Sequence, residues 1–252
     1  MNPGFRITSG SKTFLGEFPW MALLIYYQNG IFDFRCGGSL ISERYVLTAA
    51  HCITDSLAGI RLGEYDTGKV QDCEHGTCAP SVQDFYIESN KVHEEYNSST
   101  FANDIALIKL ATPAEFNVNV KPICLPVDFP ETDLAGEGAI VSGWGVTEHG
   151  TKSSKLLKAT IPVRLVQECQ SKYQRFAEVT DKQVCAGGAD GQDSCGGDSG
   201  GPMKYIAFLN GMPRYIQYGI VSYGPSQCGT PGQPAIYTRV GKYIDWILDN
   251  ID

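Results

Sequence analysis

Gly197-Asp198-Ser199-Gly200-Gly201-Pro202 decides how this chain is read. Small glycines on both sides leave the Ser199 hydroxyl exposed and let backbone amides turn toward it, the geometry an acyl-transfer nucleophile needs. A serine hydroxyl is a weak nucleophile alone, so the motif calls for a general base and a carboxylate to orient that base. His51 stands in Leu47-Thr48-Ala49-Ala50-His51-Cys52, where a strand-like run ends in small residues and a cysteine able to pin the backbone beside the imidazole. Asp104 opens Asn103-Asp104-Ile105-Ala106-Leu107-Ile108, whose alternating apolar residues predict a strand with the carboxylate at its start. Singly, these are a turn, a structural histidine and a strand cap; jointly, they are a catalytic constellation.

Chain order separates two catalytic readings. Gly197-Asp198-Ser199-Gly200-Gly201 also satisfies the Gly-x-Ser-x-Gly elbow of α/β-hydrolases, but that fold needs a histidine after the serine. The four histidines, His51, His75, His93 and His149, all precede Ser199. The order His, Asp, Ser is that of chymotrypsin. On these motifs the chain, from Ile7 to its C-terminus, resembles a trypsin-like member of the chymotrypsin family of serine proteases. The resemblance implies an all-β fold: two six-stranded antiparallel β-barrels of the chymotrypsin/trypsin type with a C-terminal α-helix. Residues 1–6 are then a remnant of a pro-region, 7–119 the N-terminal barrel, and 120–252 the C-terminal barrel and helix. It also implies roles. Ser199 attacks the scissile carbonyl, His51 shuttles the proton, Asp104 holds the imidazole, and the Gly197 and Ser199 amides form the oxyanion hole.

The same resemblance assigns specificity and activation. Asp193, in Gly191-Gln192-Asp193-Ser194-Cys195, falls at the floor of the primary pocket beside Ser194, and a carboxylate there selects Arg or Lys. Ser222-Tyr223-Gly224 resembles the edge strand that pairs with substrate backbone. Ala235, in Pro234-Ala235-Ile236-Tyr237, stands where trypsin-like enzymes usually carry a pocket-wall glycine, so its methyl should crowd the slot. Arg6-Ile7-Thr8-Ser9-Gly10 resembles the activation junction, where cleavage frees the Ile7 amine to pair with Asp198. The uncleaved chain is then a zymogen.

Composition fits a secreted module. Twenty-eight glycines and thirteen prolines favour short strands joined by turns. The runs Trp20–Ile25, Ala139–Ser142 and Tyr218–Ser222 read as buried strands, and Tyr243, Ile244 and Ile247 recur at helical spacing. A net charge of −8 argues against nucleic acid or an anionic membrane as partner. No apolar run reaches the about 18 residues of a membrane helix. Nine cysteines suit an oxidising, extracellular compartment, and the odd count leaves one over. By resemblance Cys36 pairs with Cys52, Cys169 with Cys185, and Cys195 with Cys228. Cys73 and Cys78 are near enough in sequence to close a small loop, or with His75 to supply part of a zinc site. Cys124 remains, at the family position that usually bonds a cysteine of the pro-region.

The extra Cys73–Cys78 loop and the leftover Cys124 resemble the clip-domain proteases of arthropod immune and developmental cascades. Ala139 and Tyr205 stand where many vertebrate relatives carry another disulfide. The implied partners are a downstream proenzyme or cytokine precursor, an upstream activating protease, a serpin-type inhibitor, and a pro-region linked through Cys124. No cofactor is implied for the chemistry. Glu64 and Asp66 begin a loop resembling the family's calcium-binding loop, with Asp84 as a third hard oxygen. Asn97-Ser98-Ser99 is a glycosylation sequon. The alternative function is a non-catalytic protease homologue acting as a cascade cofactor, which typically lacks one of the three catalytic residues.

Overall fold

The computed structural model of the chain describes residues 10–127, 133–147, 151–188, 197–225 and 230–252. In chain order they form β1 (Ser11–Lys12), β2 (Met21–Gln28), β3 (Ile31–Leu40), β4 (Tyr45–Thr48), β5 (Leu57–Leu62), β6 (Cys73–Glu74), β7 (Thr77–Cys78), β8 (Gln83–Phe85), β9 (Ile87–Val92) and β10 (Ala106–Leu110). The second half contains β11 (Gly138–Gly143), β12 (Leu157–Arg164), α1 (Val166–Tyr173), β13 (Gln183–Ala186), β14 (Pro202–Leu209), β15 (Met212–Tyr223), β16 (Ala235–Arg239) and α2 (Ile244–Asp249).

The first barrel is the antiparallel sheet β8-β5-β2-β3-β4-β10-β9. Only Tyr86 separates β8 from β9, so the run 83–92 pairs with β5 at one end and β10 at the other, nearly closing the sheet. Alternation decides what goes inside: Ile60 and Leu62 of β5 are fully buried, while Arg61 between them turns outward. Leu24, Leu40, Leu47 and Ile108 fill the same interior. The second barrel runs β12-β11-β14-β15-β16-β13 and closes by the β12–β13 pairing, giving six strands around Val141, Ile161, Val184, Met203, Ile216 and Tyr237.

Near both ends of the described chain, segments cross to the other barrel. The expected division assigns everything from Ile7 to Asn119 to the first barrel, but β1 adds to β12 of the second, Ser11 opposite Lys158. At the other end Tyr243, Ile244 and Ile247 belong to the first barrel's core. Tyr243 ends a 3-10 turn and α2 carries the two isoleucines, whose burial contributes about 1.5–3 kcal/mol each. Helix α1 was not legible: among its residues only Cys169 is buried, so no apolar period marks it.

Disulfides join Cys36 to Cys52, Cys73 to Cys78 and Cys169 to Cys185, while Cys195 and Cys228 lie outside the described residues. The Cys73–Cys78 bond ties β6 to β7 and removes both thiolates, which closes the zinc reading with His75. No helix among the described residues is long and apolar enough to cross a membrane.

Candidate active site

His51 sits on the 3-10 turn Ala50–Cys52 just after β4, where the Cys52 disulfide ties that turn to Cys36 of β3. Asp104 precedes β10 and is 0 % exposed. A buried carboxylate needs donors, and the fold supplies them. Asp104 Oδ2 lies 2.8 Å from His51 Nδ1 and Oδ1 accepts the His51 backbone N–H at 3.0 Å. The Ser222 hydroxyl donates to Oδ2 as well. One carboxylate therefore grips both the ring and the backbone of the histidine, fixing a proton on Nδ1 and leaving Nε2 as the base. Ser222 opens the stretch expected to pair with substrate backbone. It is the extra residue where β15 shifts register against β16, between Val221 and Tyr223, and its side chain serves Asp104. Thr238, missed in the sequence, donates to the Asp104 carbonyl at 2.7 Å.

The serine turn is locked against the first barrel. Gly37 N–H donates to the Ser199 carbonyl at 2.8 Å. Gly200, at φ 77°, approaches so closely that a Cβ there would lie 2.2 Å from Thr48 Oγ1, 2.5 Å from the Gly37 carbonyl oxygen and 3.1 Å from Cys52 Sγ. Only glycine fits, and that closeness seats the turn carrying Ser199 against Thr48 and Cys52, which flank His51 in the chain. Gly197 also has positive φ, 98°, in keeping with an amide turned out of the ordinary strand direction. Beside it a cavity of about 220 Å³ is lined by Leu23, Phe34 and Trp144, with Lys152 bonded across its rim to Asp33.

An aromatic wall borders the cleft on the other side. Tyr223 packs on Phe101, Phe176 and Tyr173 at 5.2, 5.6 and 5.4 Å between ring centres. Phe101 meets the His51 ring edge-on at 5.6 Å and has φ 56°, a left-handed conformation rare for so bulky a residue. Burial pushes the Tyr223 phenol well above its ordinary pKa, so it stays uncharged at neutral pH. Ala235 begins β16, buried, and a Cβ on Gly224 would come 3.0 Å from its methyl. The two wall positions thus face one another with the Ala235 methyl already between them. Asp193, Ser194, Arg6 and Ile7 lie outside the described residues.

The acidic loop is arranged differently from the expectation. Asp84 stands directly opposite Arg61 across β5 and β8, and its two oxygens take the guanidinium at 2.7 and 2.8 Å. Both its oxygens are thus engaged by a cation. Asp72, overlooked in the sequence, is buried beside Glu64: its Oδ2 accepts the Tyr65 and Asp66 amides, while Oδ1 has no partner among the described residues. Burial, then the Asp72 charge, raise the Glu64 carboxyl above its ordinary range, against the opposing Tyr65 amide and Arg61. Among the described residues these carboxylates do not gather into a group of three close enough to hold one metal ion, and Glu64 and Asp66 face Arg61, Lys69 and Lys155. Elsewhere, Cys124 is a half-buried free thiol beside β15, where its carbonyl accepts from Gln217 N–H, and Asn97 is exposed.

The family model for trypsin matches residues 7–247. Phenoloxidase-activating factor 3 of Holotrichia diomphalia is 46% identical over 258 residues, spanning 98% of this chain and 73% of that protein. CLIP domain-containing serine protease HP8 of Bombyx mori is 43% identical over 262 residues, 98% of this chain and 70% of that one. The crystal structure of the Drosophila Grass clip serine protease of the Toll pathway matches with a TM-score of 0.85 at 41% identity, covering 99% of this chain and 72% of that chain. Relatives at this identity carry the same two-barrel frame that here aligns imidazole, buried carboxylate and serine turn, and the chain belongs to the trypsin family: it is a trypsin-like serine endopeptidase with arthropod clip-domain proteases as its homologues.

Proposed function

We propose that this protease is a secreted zymogen, switched on by cleavage after Arg6, that cleaves after Arg or Lys in an activation cascade of the kind its relatives are named for. Its substrate is a proenzyme or a cytokine precursor. The observation that carries this reading is Asp198: buried at the root of the serine turn, its Oδ1 accepts the Gly145 amide at 2.9 Å. A carboxylate held there is where a newly freed Ile7 ammonium exerts most leverage on the oxyanion-hole backbone. Disulfides support secretion. The free Cys124 supports a covalent link to a pro-region, and a junction ending in arginine calls for an activating protease of trypsin-like specificity. A serpin-type inhibitor, offering an arginine bait to the same cleft, completes the set of partners.

The test is limited proteolysis followed by N-terminal sequencing and assays on matched Arg, Lys and Phe peptide amides. Expected are a new Ile7 terminus, activity on Arg and Lys only, and no activation of Arg6→Gln. Full activity of uncleaved Arg6→Gln sinks the zymogen reading; hydrolysis of the Phe substrate sinks the pocket assignment. Ala235→Gly widens the slot and is expected to raise kcat/KM and shift the Arg to Lys ratio, whereas an unchanged ratio removes Ala235 as a determinant.

Calcium on Glu64 and Asp66, with backbone carbonyls completing the shell, is proposed as a structural ion of this loop. Because Glu64 titrates higher in the folded than in the unfolded chain, the calcium-free fold loses stability as pH rises through the carboxylate range. Calcium is expected to restore it, raising Tm at pH 7 by more than at pH 4. Asp66→Asn should remove the calcium response; a response that survives the substitution contradicts the site.

A further inference from the structure

Lys204 lies in β14, three positions after Gly201, and is 0 % exposed. An ammonium without a paired carboxylate is costly in such a place, and an apolar side chain of the same length would be the stable choice. Its contacts are specific. Nζ donates to Ser142 Oγ at 2.5 Å and stands 3.9 Å from the centre of the Phe18 ring, a cation–π contact. Ser142 Oγ in turn donates toward Met21 Sδ at 3.2 Å. The charged groups near enough to bear on it are Glu17 of the N-terminal segment, which attracts it, and Lys158 of β12, which repels it. Glu17 is itself held by Lys158 and by the Phe14 amide. Burial lowers the Lys204 pKa well below the usual lysine value.

The residues immediately after Ser142 form the wall of the oxyanion region. A Cβ on Gly143 would lie 2.1 Å from Asp198 Oδ1, and one on Gly145 would lie 2.5 Å from Oδ2. Gly145 N–H donates to the same carboxylate. A Cβ on Gly197 would come 3.0 Å from Gly145 Cα. The residue that lends an amide to the oxyanion hole, and the one beside the nucleophile, therefore both rest on the segment that Ser142 begins.

We propose that Lys204 is a positioning residue of the catalytic apparatus: by gripping the Ser142 hydroxyl from inside the second barrel it fixes the Gly143–Gly145 wall, and through that wall the direction of the Gly197 and Ser199 amides. The strand after the nucleophile thus also carries the clamp that sets its electrophilic partner. Retaining a lysine here costs stability and improves alignment in the transition state, since oxyanion donors act only when the distance is right.

The experiment compares processed wild type with Lys204→Met, Lys204→Gln, Ser142→Ala and the Lys204→Met/Ser142→Ala pair. Expected for Lys204→Met is a kcat on peptide amides lower by about tenfold, as a partly misaligned oxyanion donor gives, with KM nearly unchanged. Affinity for a peptide aldehyde of the substrate's sequence falls in parallel, because its hemiacetal oxygen uses the same amides. Tm of Lys204→Met stays equal or rises, Lys204→Gln recovers part of kcat, and the double variant is no worse than the worse single one. Unchanged kcat in Lys204→Met overturns the proposal, as does a kcat loss that tracks a lowered Tm, or losses that multiply in the double variant. Ser142→Ala removes one oxygen and keeps the fold's volume, so it decides the matter even if Lys204→Met fails to fold.

Discussion

Ser199→Ala is expected to abolish amide hydrolysis, lowering kcat by about 10⁶-fold while leaving substrate binding nearly intact. The backbone around it does not depend on the hydroxyl. Gly37 holds the Ser199 carbonyl, Gly201 N–H donates to the Asp198 carbonyl, and Gly200 N–H donates to Val221, so the turn survives the substitution. The amides of Gly197 and of residue 199 stay in place and supply the residual rate over water. Kinetics of the processed variant against wild type, with inhibitor binding as a measure of the intact cleft, check this. A loss of only a few fold would mean that another residue is the nucleophile.

Asp104→Asn is the next largest expected effect, a fall in kcat of about 10⁴-fold at neutral pH. The carboxylate is an acceptor on both oxygens, taking the His51 N–H, the ring at Nδ1 and the Ser222 hydroxyl. An amide of the same shape turns one acceptor into a donor. If its NH₂ faces the ring, Nδ1 becomes the acceptor, the ring proton moves to Nε2, and the base is lost; if it faces the backbone, it meets the His51 N–H as a second donor. The imidazolium formed during catalysis also loses its counter-charge. Tm should change far less than kcat, because Thr238 still holds the Asp104 backbone. A variant that keeps more than about a tenth of wild-type kcat would contradict the assigned role.

Glycine, proline and residue order punctuate the parts of the chain that were legible in the sequence. The serine turn declared itself because Gly200 tolerates no Cβ against Thr48 and Gly37, a constraint written into the chain as Gly-Gly-Pro. His51 and Asp104 emerged from their flanking strands and from an order incompatible with the other serine-hydrolase reading. Long-range pairing hid the rest. Asp84 looked like a calcium ligand because it closes an acidic loop, yet cross-strand register sets it against Arg61, and opposite charges in that position pair. Asp72, from the middle of a loop that carries no periodicity, accepts the Tyr65 and Asp66 amides instead. Phe101, three residues before Asp104, was readable only as an apolar residue until its left-handed backbone turned it over His51. Lys204 was hidden by alternation, since a lysine in Pro202–Leu209 reads as a solvent-facing position and the structure buries it.

Activation of Ser199 as a nucleophile by the His51–Asp104 pair is tested most directly by the site and rate of covalent labelling. The processed chain is treated with diisopropyl fluorophosphate, digested and mapped by mass spectrometry, beside Asp104→Asn under the same conditions. One adduct on Ser199, formed rapidly in wild type and far more slowly in Asp104→Asn, is the predicted result. An adduct on a different residue, or an unmodified Ser199 in chain that has been cleaved to Ile7, would contradict it.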